Sequence, residues 1–257
     1  MPSAENDPVI QNALAALHSV NPYERFAAIE TLARRQHVAA LGHIIDATHD
    51  PHLSVREAAV WALGDLQAAQ AISTLRLLAE SKNQPESIRL AAVYGLGMLA
   101  DPSTLPLLLR LANLPNQTAL CAGAARALIR YGEVAVTRLA VVLLDREHEG
   151  FRERLVAAQL LGVLRHPAAI VALQAAVEQD VRQVRWAAVQ SLGEIASPST
   201  LPFLMDVLEN APELGRITVW ALENTGTAEA QQVAQRWRKA HHYPRHDTPH
   251  LPPPAPS

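Results

Sequence analysis

Aromatic residues make up only 4% of this 257-residue chain, and it has one cysteine, Cys121. A shortage of aromatic and β-branched residues, set against a middle rich in Ala, Leu and Val, argues against a sheet protein and for closely packed helices. A lone cysteine excludes an internal disulfide. Charge of one sign is also missing. The formal net charge is −3, so there is no overall positive field of the kind that holds a nucleic-acid backbone, and a nucleic-acid partner is not expected. No apolar run approaches the roughly 18 residues of a membrane span. The polar opening MPSAENDP lacks a basic segment followed by an apolar one, so no membrane role is expected and a cytoplasmic location is. Catalytic signatures are scarce too: no Gly-rich phosphate loop follows a strand, and no Cys-x-x-Cys or nucleophile elbow occurs. Cys121, one residue from the column of Val55, Ile88 and Val184, reads as a small core residue. With 49% hydrophobic and 18% charged residues, the chain can bury a sizeable core.

What the chain has in abundance is itself. SVREAAVWALGDL at 54–66 returns as SIRLAAVYGLGML at 87–99 and QVRWAAVQSLGEI at 183–195. One leucine column runs through Leu32, Leu63, Leu96, Leu128, Leu161, Leu192 and Leu222, with spacings of 31, 33, 33, 32, 31 and 30 residues. The same register aligns Arg25, Arg56, Arg89, Arg154 and Arg185, and separately Gly64, Gly97, Gly162 and Gly193. Repetition at this period points to a stacked array.

Each copy divides into two amphipathic stretches. Val55, Ala58, Ala59, Ala62, Leu63 and Leu66 recur at the spacing of one helical face. The following stretch, AISTLRLLAE at 71–80 in this copy and TLPLLLRLA at 104–112 in the next, carries its own apolar face. The breakers Asn21-Pro22, Asp50-Pro51, Asp101-Pro102, Pro167 and Ser197-Pro198 are expected between copies, since proline opens a helix but does not continue one. A hairpin of about 32 residues cannot bury its apolar face alone, so the hairpins must stack. The expected fold is all-α, an α-solenoid wound as a right-handed superhelix of about seven hairpins over 7–240. An N-terminal extension at 1–6 precedes it and a disordered His/Pro-rich tail at 241–257 follows it.

The pattern V-R-x-A-A-x-x-A-L-G, a turn, and a second helix with an L-x-x-L theme resembles HEAT-like repeats. The short repeat length is most similar to that of phycobilisome bilin lyase subunits and of deoxyhypusine hydroxylase. Copy four departs in having no arginine in that column. Copy seven departs with Gly215 there and Glu223 in the glycine column. The resemblance implies that the motif-bearing helix lines the concave surface.

At about 100° per residue, positions equivalent to 57, 60, 61 and 64 are expected opposite the core stripe, as an outward ridge. The 60 column includes Ile29, Val60, Val93, Ala158, Val189 and Val219. Three of the four tryptophans fall on the ridge. The expected partner-binding groove is formed by Phe26, Trp61, Tyr94, Arg126, Gln159, Trp186, Gln190 and Trp220. Such aromatic anchors suit a protein or peptide partner. The arginine column, about 90° from the core centre, is expected to form a ladder of hydrogen bonds between repeats to carbonyls or aspartates.

Histidine is the remaining candidate for chemistry, with eleven in the chain. His43, Asp46, His49, Asp50 and His52 lie close in sequence, yet His43 and His49 are about 240° apart on a helix, and no metal site is assigned. The resemblance to deoxyhypusine hydroxylase would imply several His-Glu pairs holding a di-iron centre. Only His148-Glu149 occurs, and it aligns with an inter-repeat turn, so no catalytic residue and no cofactor is expected. At the ends, 7–19 reads as an opening helix capped by Asp7, and TAEAQQVAQRWRKAH as a polar closing helix. The functional expectation is a monomeric, non-catalytic scaffold or adaptor. The alternative implied by the resemblance is bilin lyase-like chromophore attachment or a related protein modification.

Overall fold

Helix initiation follows the local chemistry. The Asp7 carboxylate accepts the Val9 amide hydrogen and the Asn21 side chain accepts that of Tyr23, with Pro8 and Pro22 opening the two helices. These side chains satisfy amides that a helix start leaves unpaired. The computed structural model describes residues 7–114 and 118–243, and among them there are fifteen α-helices and no strand. The extension expected at 1–6 and most of the tail expected at 241–257 lie outside the described residues.

An opening helix, α1 (Pro8–Ala16), precedes the hairpins. These are α2 (Pro22–Arg34) with α3 (Leu41–Ala47), α4 (Leu53–Asp65) with α5 (Ile72–Glu80), and α6 (Glu86–Leu99) with α7 (Leu105–Ala112). Then come α8 (Thr118–Ile129) and α9 (Glu133–Leu144) in chain order, followed by α10 (Phe151–Leu164) with α11 (Ile170–Gln179), α12 (Arg182–Ile195) with α13 (Leu201–Asn210), and α14 (Gly215–Asn224) with α15 (Ala228–Ala240). The chain forms two compact units, 1–131 and 132–257. In the first unit α2, α4, α6 and α8 pack side by side in order, with α3, α5 and α7 behind them; in the second, α10, α12 and α14 do the same. This is the stacking of an α-solenoid, and the seven column leucines lie in its core.

Turn geometry corrects one expectation. Asp101-Pro102, His166-Pro167 and Ser197-Pro198 open short 3-10 turns inside hairpins, ahead of the second helix, and do not separate copies. The cause is a left-handed residue four positions after each column leucine. Gln36, Gln67, Ala100, Arg165 and Ala196 have φ between 46° and 55°, and Gly132 and Gly226 occupy the same place in the other two copies. One residue in this conformation ends the first helix and reverses the chain into its hairpin partner.

The arginine column forms the expected ladder. Arg25 forks onto Asp50 at 2.7 and 2.8 Å and also donates to the carbonyls of Ser19 and Val20. Arg56 takes up the Asp50 and Pro51 carbonyls, so Asp50 serves two successive copies. Hydrogen bonding from Arg25 holds the Asp50 carboxyl below its ordinary value. Arg89 donates to the Ala79 carbonyl, Arg154 forks onto Asp180, and Arg185 bonds the Val177 carbonyl and Glu213.

The glycine column lies at contacts between first helices. A methyl group on Gly97 would stand 2.8 Å from the Cβ and 2.9 Å from the Cα of Ala127, and one on Gly193 would stand 2.8 Å from the Cα of Ala221. In the last copy the two departures are answered by α15. The Trp237 ring occupies the space beside Gly215, and Arg238 pairs with Glu223 at 2.8–2.9 Å. Past residue 240, Tyr243 still packs, its ring about 5 Å from the guanidinium carbons of Arg216 and Arg238.

Candidate functional site

The outward ridge is narrower than the helical wheel suggests. Ile29, Val60, Val93, Ala158, Val189 and Val219 are fully buried, and Gly64, Gly97, Gly162 and Gly193 are buried with them. Arg126, two residues before Leu128 as Trp61 is two before Leu63, stands at the 61 position and is exposed. The reason is packing on three sides. Each inner first helix meets the second helix of the preceding copy, and also the first helices before and after it in its unit. What stays free is a strip at the 57 and 61 positions.

In the first unit that strip borders a groove. On α2, Phe26, Glu30 and Arg34 follow one another at four-residue intervals; on α4, Glu57, Trp61 and Asp65 do the same. Residues four apart share a helix face, so two stripes confront each other across the α2–α4 contact. Between them lies a groove of about 350 Å³, whose alanines, Ala33, Ala58 and Ala62, are buried. Trp61 is 45% exposed in spite of its size. Its ring lies 4.7 Å from that of Tyr94 on α6, at an interplanar angle of 53°, within the range of favourable aromatic pairs. Arg130, just after α8, places its guanidinium carbon 6.0 Å from the centre of the Tyr94 ring. Phe26 is half-buried and Arg126 exposed.

The groove is acidic. Arg34 engages Glu30 at 2.8 Å within α2. No ion pair to Glu57 or Asp65 occurs among the described residues. Desolvation by the surrounding protein pushes the Asp65 carboxyl above its ordinary value. Glu30 and Glu57 stand in the ridge columns read from the sequence, but their joint meaning emerges only once α2 and α4 are side by side. The signal available beforehand was the alternation of carboxylate and aromatic at four-residue spacing in Glu57, Trp61 and Asp65.

In the second unit the expected residues are placed differently. Trp186 is 6% exposed, so it is a core side chain and not a free anchor; α12 is enclosed by α10, α11 and α14. Trp220 is half-buried, with its ring over Gly193. Gln159 is exposed, while half-buried Gln190 donates to Glu194 at 3.0 Å. Burial raises the Glu194 carboxyl above its ordinary value.

Residues considered for chemistry have local partners. Cys121, half-buried, donates from Sγ to the Leu114 carbonyl at 3.0 Å. His148 lies 3.0 Å from the Asp145 carboxylate in the turn after α9. Among the described residues no three His, Cys, Asp or Glu side chains converge as metal ligands, so the residues present do not fit the di-iron centre implied by the resemblance. Among the same residues no helix is long and apolar enough to cross a membrane.

Comparison with known proteins agrees with this architecture. The family model for HEAT repeats matches residues 10–86 and 143–223, and that for the PBS lyase HEAT-like repeat matches 88–113. Deoxyhypusine hydroxylase of Drosophila melanogaster is 25% identical over 236 residues, 82% of this chain and 78% of that protein. Phycocyanobilin lyase subunit alpha of Synechococcus elongatus is 42% identical over 71 residues, 27% of this chain and 26% of that protein. Among solved structures, importin beta superposes with a TM-score of 0.52 at 17% identity, covering 84% of this chain and 34% of that one. At that identity the likeness is one of fold.

Proposed function

We propose, from the premise that this chain belongs to the HEAT-repeat family, that it is a non-catalytic adaptor whose first-helix strip in the first unit binds a segment of a protein partner. The observation that carries this reading is Trp61: a large ring kept 45% exposed beside an open groove. The leucine, arginine and glycine columns build the stack without it. Tryptophan and tyrosine bury large area at low entropic cost when a partner arrives. Affinity capture from the native host's lysate, followed by titration of the captured partner, tests the proposal. Trp61→Ala is expected to weaken binding about tenfold or more, the 1–2 kcal/mol scale of an interface anchor, with helicity and melting temperature nearly unchanged. Parallel loss of stability and binding would assign Trp61 to packing instead.

A second reading, a bilin lyase-like role, is favoured by one observation, the 42% identity over 71 residues to a phycocyanobilin lyase subunit. The same capture distinguishes it when visible absorbance is read with bound protein. A retained coloured tetrapyrrole would favour it, and a colourless partner lost on Trp61→Ala would favour the adaptor.

A further inference from the structure

The groove between α2 and α4 has a chemical preference that the adaptor reading does not specify. Its two carboxylates on α4, Glu57 and Asp65, flank Trp61 one helical turn to either side, and neither has an ion-pair partner among the described residues. Among those residues the one cation lining it, Arg34, is held by Glu30. Three carboxylates against one guanidinium leave the groove with two uncompensated negative charges. Its floor is small and apolar, supplied by Ala33, Ala58 and Ala62, and Phe26 lines it from α2. A ligand fitting these surfaces combines an apolar stem with a positively charged head that can stand near an aromatic ring and a carboxylate together.

We infer that this groove takes an arginine or lysine side chain from the partner's bound segment. The methylene stem would lie over the alanine floor, as long basic side chains commonly lie on apolar surface. The head would meet the Trp61 ring, the best aromatic partner for a cation, and Glu57 or Asp65, where a charge-assisted hydrogen bond forms. The four-residue intervals of Glu57, Trp61 and Asp65 set the carboxylates about 12 Å apart along α4, so a head beside the ring can reach either one.

The inference rests on the adaptor reading, and the test separates the two. The full chain is applied to an array of ten-residue peptides with randomised flanks and a fixed central arginine, lysine, citrulline or glutamate, and the retained sequences are then titrated. Arginine and lysine peptides are expected to bind at least tenfold more tightly than their citrulline counterparts, with the difference shrinking as salt rises. Glu57→Gln/Asp65→Asn is expected to abolish the difference without changing helicity. Equal binding of arginine and citrulline peptides, or an unchanged preference in the double variant, would overturn the inference. Titration of the captured partner completes the separation. Affinity lost on Trp61→Ala but kept in the double variant leaves the adaptor reading standing and removes the cation. Affinity kept in both removes both.

Discussion

Ala100 and Ala196 occupy left-handed backbone, with φ of 46° and 55°, where a Cβ crowds its own carbonyl and costs about 1–2 kcal/mol. Glycine removes that crowding, and two copies already use it, at Gly132 and Gly226. Ala100→Gly is therefore expected to stabilise the protein by about 1 kcal/mol, seen as a higher urea midpoint at unchanged slope. A lower midpoint would mean that lost packing outweighs relieved strain. The leucine column is legible directly, because a large apolar side chain recurring every thirty-odd residues marks one core position per stacked layer. The left-handed column is not, because Gln, Ala, Gly and Arg share no chemistry, only a place in the turn. Trp186 resists reading for a related reason. A tryptophan looks the same whether its helix face meets water or another helix, and the neighbours of α12 decide which.

Among elements, the glycine column sets how closely first helices approach. Glycine to alanine in an exposed helix gains about 1 kcal/mol from propensity. At Gly97 the sign reverses, because the new methyl would sit 2.8–2.9 Å from Ala127 and α6 would have to move from α8. Gly97→Ala is expected to cost about 1–3 kcal/mol, the range for overpacking, measured by thermal or urea unfolding. A neutral result would show that the α6–α8 contact relaxes freely. Helix identity and pairing were legible from apolar spacing, and the arginine ladder from its column. The extent of burial was not, because a helical wheel shows one face. A helix flanked on both sides within a layer hides nearly all of its circumference, which puts Val60 and Val93 in the core.

For the molecule as a whole, each hairpin touches mainly its sequence neighbours, so damage should spread only a short distance. Leu63→Ala, a core truncation worth about 2–5 kcal/mol, is expected to speed amide exchange in α2, α4 and α6 well before α12 and α14. Equal acceleration throughout would mean that the chain opens as one cooperative body. The groove was only partly legible at this scale: Trp61, Tyr94 and Phe26 came from the repeat register, whereas its acidity comes from two helices meeting.

A stack of like layers invites one more layer, and another molecule could supply it. Here Trp237 fills the space beside Gly215 and Arg238 holds Glu223, so the final layer presents a largely polar helix where its predecessors present apolar ones. Shortened by α15, the protein would carry a sticky end with no symmetry to close it. Head-to-tail association of that kind grows as an open filament, visible as light scattering that climbs with concentration. A single tryptophan seated on a glycine thus covers a face that every earlier copy offers to its successor.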